Sequence, residues 1–189
     1  MALQLVVPPA LEPVSLYEAK AHCRVDHYDD DALIERLIVA ARERAETRTR
    51  RALIARTLRL HLDAFPVGEL ELERPPLLEV VAVKYVDPAG VERTMDPADY
   101  QVDEYSAPAR LAPAPGESWP ATRTQLGAIV VEYRAGYGEV GESVPEPIRQ
   151  AILLDVQDAY DNRGTLVVGT VSSKLARTAE ALLGPYRVY

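Results

Sequence analysis

The sequence predicts an α+β protein, an α-helical bundle formed by N- and C-terminal helices with an inserted antiparallel β-sheet region. Two changes of hydrophobic period carry that expectation. Residues 31–50 and 145–162 repeat apolar side chains at three- and four-residue spacing, the pattern of a helix with one buried face. From Thr57 the period drops to two, in short runs divided by Pro and Gly, and helical spacing returns only after the glycines of 136–141. The chain therefore divides into N-terminal helices (1–54), an inserted β region (55–135), C-terminal helices that pack on the first set (136–184) and a C-terminal arm (185–189).

Taken in order, residues 1–14 are apolar and proline-rich, an extended segment that needs a partner surface to be ordered. Ser15-Leu16-Tyr17-Glu18 is a capping box, in which the serine oxygen takes an amide of the first turn and the glutamate returns to the serine amide. It predicts a helix over 16–23. The aspartates of Asp26-His27-Tyr28-Asp29-Asp30-Asp31 lack the alternating ligands, central glycine and terminal glutamate of a calcium loop, so they are assigned to capping the next helix. That helix, 31–50, carries Leu33, Ile34, Leu37, Ile38, Ala41 and Ala45 on one face, with Arg44 and Arg48 continuing the stripe. Its mate is the helix opened by Pro145 and Pro147, whose stripe of Ile148, Ile152, Val156 and Tyr160 contains Asp155. A carboxylate placed there is costly without a partner, so Asp155 is expected to pair with an arginine of the earlier helix.

In the β region, Leu58, Leu60 and Leu62 alternate with polar residues, as do Leu70 and Leu72. Val80–Val86 is a third strand, turned back by Asp87-Pro88-Ala89-Gly90 into 91–95. Short strands at 100–102 and 109–111 and a last strand at 128–133 complete it. A final helix, capped by Ser172 or Ser173, carries Leu175, Ala179, Leu182 and Leu183, and the valines of 165–171 precede it. The tail Tyr186-Arg187-Val188-Tyr189 has the residue types of an interface anchor, or is a frayed end.

Composition narrows the function. A net charge of -8 argues against a general nucleic-acid binder, which must neutralise phosphates. One cysteine, Cys23, cannot form an internal disulfide and fits a reducing compartment. No apolar run reaches the length of a membrane span, and no signal peptide or anchor is expected. Arginine outnumbers lysine eighteen to three, and eight arginines fall between Arg36 and Arg59. Arg42, Arg44, Arg48, Arg50 and Arg51 form either a solvated helix face or a protein interface.

A search for chemistry returns no metal, cofactor or nucleophile signature. The three histidines lack metal spacing, and no serine sits in a nucleophile elbow. Gly136, Gly138 and Gly141 spell G-x-G-x-x-G between a strand and a helix, but Glu139, Glu142 and Glu146 stand where a pyrophosphate would sit. Two alternatives remain open. A carboxylate-pair hydrolase needs a pocket with two facing acids on the β region, and a carbohydrate-binding β module needs Trp119, Tyr100 and Tyr105 on one open face.

The ordered segments LEPVSLYEAKAHCRVD, DDALIERLIVAARERAETRTRRAL, LDAFP, ERPPLLEVVAVKYVDPAG, YQVD, PGESWP, VVEYRAGYG, VPEPIRQAILLDVQDAYDNRG and LLGPYRVY resemble, across nearly the whole chain, the head-tail connector proteins of tailed phages and of phage-like gene transfer particles. These are also called adaptor or head-completion proteins. The sequence departs from that family at TRTRR, where a glycine should follow the helix, and in the 164–174 loop. The resemblance implies a non-enzymatic virion protein, a dodecameric ring docked below the portal protein in the neck between capsid and tail. Such a ring extends the DNA channel, lets duplex DNA pass without specific binding, and offers the surface on which stopper or tail-terminator proteins assemble. It is put together in the bacterial host cytoplasm, without a membrane partner or cofactor. The arm becomes a portal contact through Pro185, Tyr186, Arg187, Val188 and Tyr189, and the arginines of 42–51 become subunit contacts.

Overall fold

The computed structural model describes residues 1–162 and 173–189, and it forms two compact units. One is Met1–Ala10 with Ala55–Tyr137; the other is Leu11–Ile54 with Gly138–Tyr189. The division differs from the sequence-based one at the N-terminus, because the first ten residues join the β unit rather than the helices that follow them.

In the β unit the strands are β1 (Ala2–Val7), β2 (Arg56–Leu62), β3 (Leu70–Leu72), β4 (Leu77–Val86), β5 (Glu92–Thr94), β6 (Tyr100–Asp103), β7 (Ala109–Pro113) and β8 (Ile129–Ala135). They make a five-stranded sheet in the order β1-β2-β8-β4-β5 and a three-stranded sheet β3-β7-β6, every pair antiparallel. Period-two alternation sets the register. Leu58 lies opposite Tyr133 and Leu60 opposite Val131, so one face of β2 and β8 is buried. Tyr133 is the largest fully buried side chain; its hydroxyl donates to the Glu73 carbonyl just after β3 at 2.8 Å, and burial pushes its phenol pKa up. The segment expected to need a partner surface finds one within the chain: Ala2–Val7 pairs with β2. The extended conformation was expected, and the prolines begin only at Pro8, after the strand has ended.

In the helical unit, α1 (Leu16–Cys23) starts on the complete Ser15/Glu18 capping box. Burial works against the Glu18 charge, but the Ser15 amide and hydroxyl, and then Arg149, hold its carboxyl below the usual range. The second helix, α2 (Asp31–Thr49), buries Ile34, Ile38, Ala41 and Ala45 and packs on α3 (Glu146–Asp161), which buries Ile148, Ala151, Ile152, Val156 and Tyr160. The last helix, α4 (Ser173–Leu183), buries Ala179 and Leu183 and packs on α3 and α2. The valines of 165–171 and the Ser172 cap lie outside the described residues.

Two local expectations are corrected. Asp30 stands at the N-cap of α2 but makes no side-chain capping bond, because its carboxylate accepts from the Tyr160 hydroxyl at 2.6 Å instead. Asp31 pairs with Lys20 at 2.6 Å. At the other end of α2, Arg50 takes the left-handed conformation itself, φ 56°, where a glycine was expected. A side chain in that conformation costs roughly 1–2 kcal/mol. Arg50→Gly should therefore raise unfolding stability by about 1 kcal/mol, read from urea denaturation, with no change in the circular dichroism spectrum.

Candidate functional site

The C-terminal arm lies along the end of α2. A helix leaves its last carbonyls without intrahelical partners, and here the arm supplies the donors. The Val188 amide donates to the Thr49 carbonyl at 3.0 Å, and Arg187 Nε donates to the Arg48 carbonyl at 3.2 Å. A cation at this end also meets the negative end of the helix dipole. From the α2 side, Arg51 Nε donates to the Tyr186 carbonyl at 2.7 Å. Pro185 lies in the 3₁₀ turn Gly184–Tyr186, which delivers the arm from α4. Tyr189 projects free, 95% exposed. The arm is thus held by its backbone and arginines, and it presents an aromatic ring to solvent.

The five arginines singled out in the sequence do different things. Arg42 is buried, with Nε on Glu12 at 2.7 Å and Nη1 on Glu46 at 2.9 Å. Glu46 uses its other oxygen to accept the Leu53 amide at 3.1 Å, so the cluster joins the segment before α1, α2 itself and the chain after α2. Burial alone would lower the Arg42 pKa, but Glu46 and then Glu12 raise it, and the guanidinium stays charged. Arg42 is therefore turned inward, away from any partner. Arg44 Nε reaches Asp155 at 3.2 Å, joining α2 to α3. Arg48 has its Nη1 buried without a hydrogen-bond partner among the described residues. Arg50 is exposed at the helix end, and Arg51 holds the arm.

Sequence patterning missed the acids that complete these clusters. Glu12 and Glu46 carry no local signal, and neither does the pairing of Arg149 with Glu18 and Glu146. In the same unit a cleft of about 560 Å³ is lined by Leu11, Val14, Ile38, Val39 and Val140, with Glu12, Glu18, Glu35 and Glu142 also lining it.

In the β unit, neither the acid pair of the small pocket nor Trp119 fits the hydrolase or lectin alternative. Glu69 and Asp103 share a small pocket of about 210 Å³, but Arg110 lies between them, at 2.7 Å from Glu69 and 2.6 Å from Asp103. The Ser106 hydroxyl and then Arg110 hold the Asp103 carboxyl down at about 2, so it is no general acid near neutral pH. Trp119 is stacked on Phe65, with ring centroids 4.5 Å apart and planes 3° from parallel, and its Nε1 donates to the Gly68 carbonyl. It is committed to the β2–β3 connection, not offered as a sugar platform. No cluster of three potential metal ligands occurs among the described residues. Gly141 of the G-x-G-x-x-G stretch has a packing reason, since a Cβ there would lie 2.6 Å from the Pro13 carbonyl oxygen.

Two measurements follow from these clusters. Removing one partner of a buried pair strands a charge, so Arg42→Ala should cost about 3–5 kcal/mol of stability. Arg44→Ala, at a half-exposed pair, should cost about 1 kcal/mol or less, both by urea denaturation. For Asp103, whose folded pKa is depressed, the contribution to stability is present above the ordinary carboxyl range and is lost as pH falls toward about 2. An NMR titration should place its midpoint near 2 and move it up in Ser106→Ala.

Residues 13–92 match the family described as phage gp6-like head-tail connector protein. No curated protein matches the chain. Among solved structures, the chain is similar to one in the neck of an empty GTA particle computed with C6 symmetry, with a TM-score of 0.83 at 27% identity, covering 100% of this chain and 96% of that one. A chain of the virion of a native gene transfer agent (GTA) particle matches with a TM-score of 0.83 at 26% identity, and one from the neck of a native GTA particle computed with C12 symmetry with 0.77 at 27%, both with the same coverage. These findings bear out the resemblance to head-tail connectors and the α+β class, and they support a structural role in a particle neck rather than an enzymatic one.

Proposed function

We propose that this chain is the subunit of a connector ring, a dodecamer, that docks on the portal protein of a phage-like head, extends the DNA channel and carries the stopper or tail-terminator proteins. The observation that carries the proposal is the end-to-end likeness to chains of GTA necks, one of them computed with C12 symmetry. That likeness runs over 100% of this chain. The acidic surface suits a channel wall, since a net charge of -8 repels phosphates and lets duplex DNA slide without adhering. The ring assembles in the bacterial host cytoplasm and stays in the neck of the particle.

The portal contact is assigned to the arm, Pro185, Tyr186, Arg187, Val188 and Tyr189. Support comes from Tyr189, whose exposed ring ends a segment anchored at the Arg48 and Thr49 carbonyls. Aromatic and arginine side chains on an anchored segment are the residue types that dominate interface energies. In co-sedimentation with the cognate portal ring, the full chain should pellet, and Tyr189→Ala and a chain ending at Gly184 should lose most of that binding. Equal binding by all three would move the contact elsewhere, and no binding even by the full chain would overturn the portal assignment.

A further inference from the structure

Strand edges are where the β unit is unusual. An open edge presents unpaired amides and carbonyls, and proteins normally shield it with charge, shortness or a covering element. The three-stranded sheet obeys this: its edges are β3, Leu-Glu-Leu, and β6, Tyr-Gln-Val-Asp, both short and acidic. The five-stranded sheet does not. Its edge β1, Ala-Leu-Gln-Leu-Val-Val, has six residues, no charge and no proline, and Leu5 and Val7 are 50% and 52% exposed.

At the opposite end of the same sheet, β5 pairs only with Lys84–Val86 of β4, and the Met95 amide takes the Val83 carbonyl. No described strand pairs with the outer side of Leu77–Ala82, a stretch as long as β1. Two bulges against β8 shield it only in part, since Leu78 and Val81 are 38% and 50% exposed. Its single charge, Glu79, is already paired with Arg134 at 2.8 Å.

We propose that β1 of one copy adds to the Leu77–Ala82 edge of β4 in the next copy, so that the five-stranded sheets join around the ring. The inference rests on the ring assembly proposed above and names the surface that closes it. A cyclic ring needs two different patches on each subunit, each fitting the other, whereas a self-fitting patch yields only pairs. Two open apolar edges at opposite ends of one sheet are such patches. Strand direction also fits. β1 runs against β2, β2 against β8 and β8 against β4, so β1 and β4 point opposite ways. A neighbour related by rotation about the ring axis therefore brings its β1 alongside β4 antiparallel, and each sheet covers its neighbour's exposed edge.

The test is disulfide trapping in whole particles, made in producing cells whose own copy of the gene is replaced by a Cys23→Ser variant. Into it are placed Leu5→Cys with Leu78→Cys, or Leu5→Cys with Val81→Cys, and each cysteine alone. Mild oxidation of purified particles should give a ladder of linked subunits from a double variant and none from the singles. Particles that carry the chain in their necks but give no ladder would overturn the edge pairing and leave the ring standing. Dimers from Leu5→Cys alone would overturn it in favour of a β1–β1 contact. Absence of the chain from the necks of Cys23→Ser particles and of particles with the unaltered chain would overturn the ring itself. As a second readout, Leu5→Lys with Val7→Lys should leave the circular dichroism spectrum unchanged and abolish incorporation into particles. Normal incorporation of that variant would also count against the pairing.

Discussion

The helical unit depends on one buried guanidinium. Arg42 holds Glu12 from the segment before α1 and Glu46 from its own helix, and Glu46 in turn holds the Leu53 amide after the helix ends. A buried charge is tolerable only when its hydrogen-bonding capacity is used, and using it draws three separate stretches of chain together. Apolar contacts among the helices bury their inner faces but are forgiving about angle and register. The ionic cluster is not, because its distances must stay within hydrogen-bond range.

That arrangement changes the meaning of an arginine-rich helix. A run of guanidinium groups in an acidic chain invites assignment to an outside partner, yet the structure commits several of them internally. Arg42 serves the cluster, Arg44 ties α2 to α3 through Asp155, and Arg51 holds the arm. The same holds in the β unit, where Arg59 pairs with Glu132 at 2.6 Å and Arg134 with Glu79. Each such pair uses one positive and one negative charge, so the net charge of -8 comes from the remaining acids.

The β unit reaches order by a different route. Its inner face is apolar and alternates strictly on β2 and β8, with Tyr133 at its centre, so register is set by burial. Among the described residues, no strand pairs with the outer side of β1 or of Leu77–Ala82. A domain with a well-specified interior and unshielded edges is suited to a repeating assembly, where the neighbour supplies what the single copy lacks.

Much of this architecture is written locally. The capping box specified α1 to the residue, helical spacing specified α2 and α3 to within a residue or so, and period two specified β2, because each depends on neighbours within about one turn or one pleat. The α+β class followed from those periods alone. What tertiary structure decided was pairing across distance. Asp155 and Arg44 are 111 residues apart, Arg187 and the Arg48 carbonyl 139, and Arg42 and Glu12 30. Asp155 announced its need for a cation by sitting in an apolar stripe, but Glu12 sits in a proline-rich stretch with no period to betray it. Asp30 had a cap available and took the Tyr160 hydroxyl from 130 residues away. Ala2–Val7 became a strand only because β2 offered it an edge. Local sequence sets which conformations are cheap, and the choice among partners is made by burial and hydrogen bonding, which exist only once the chain has folded back on itself.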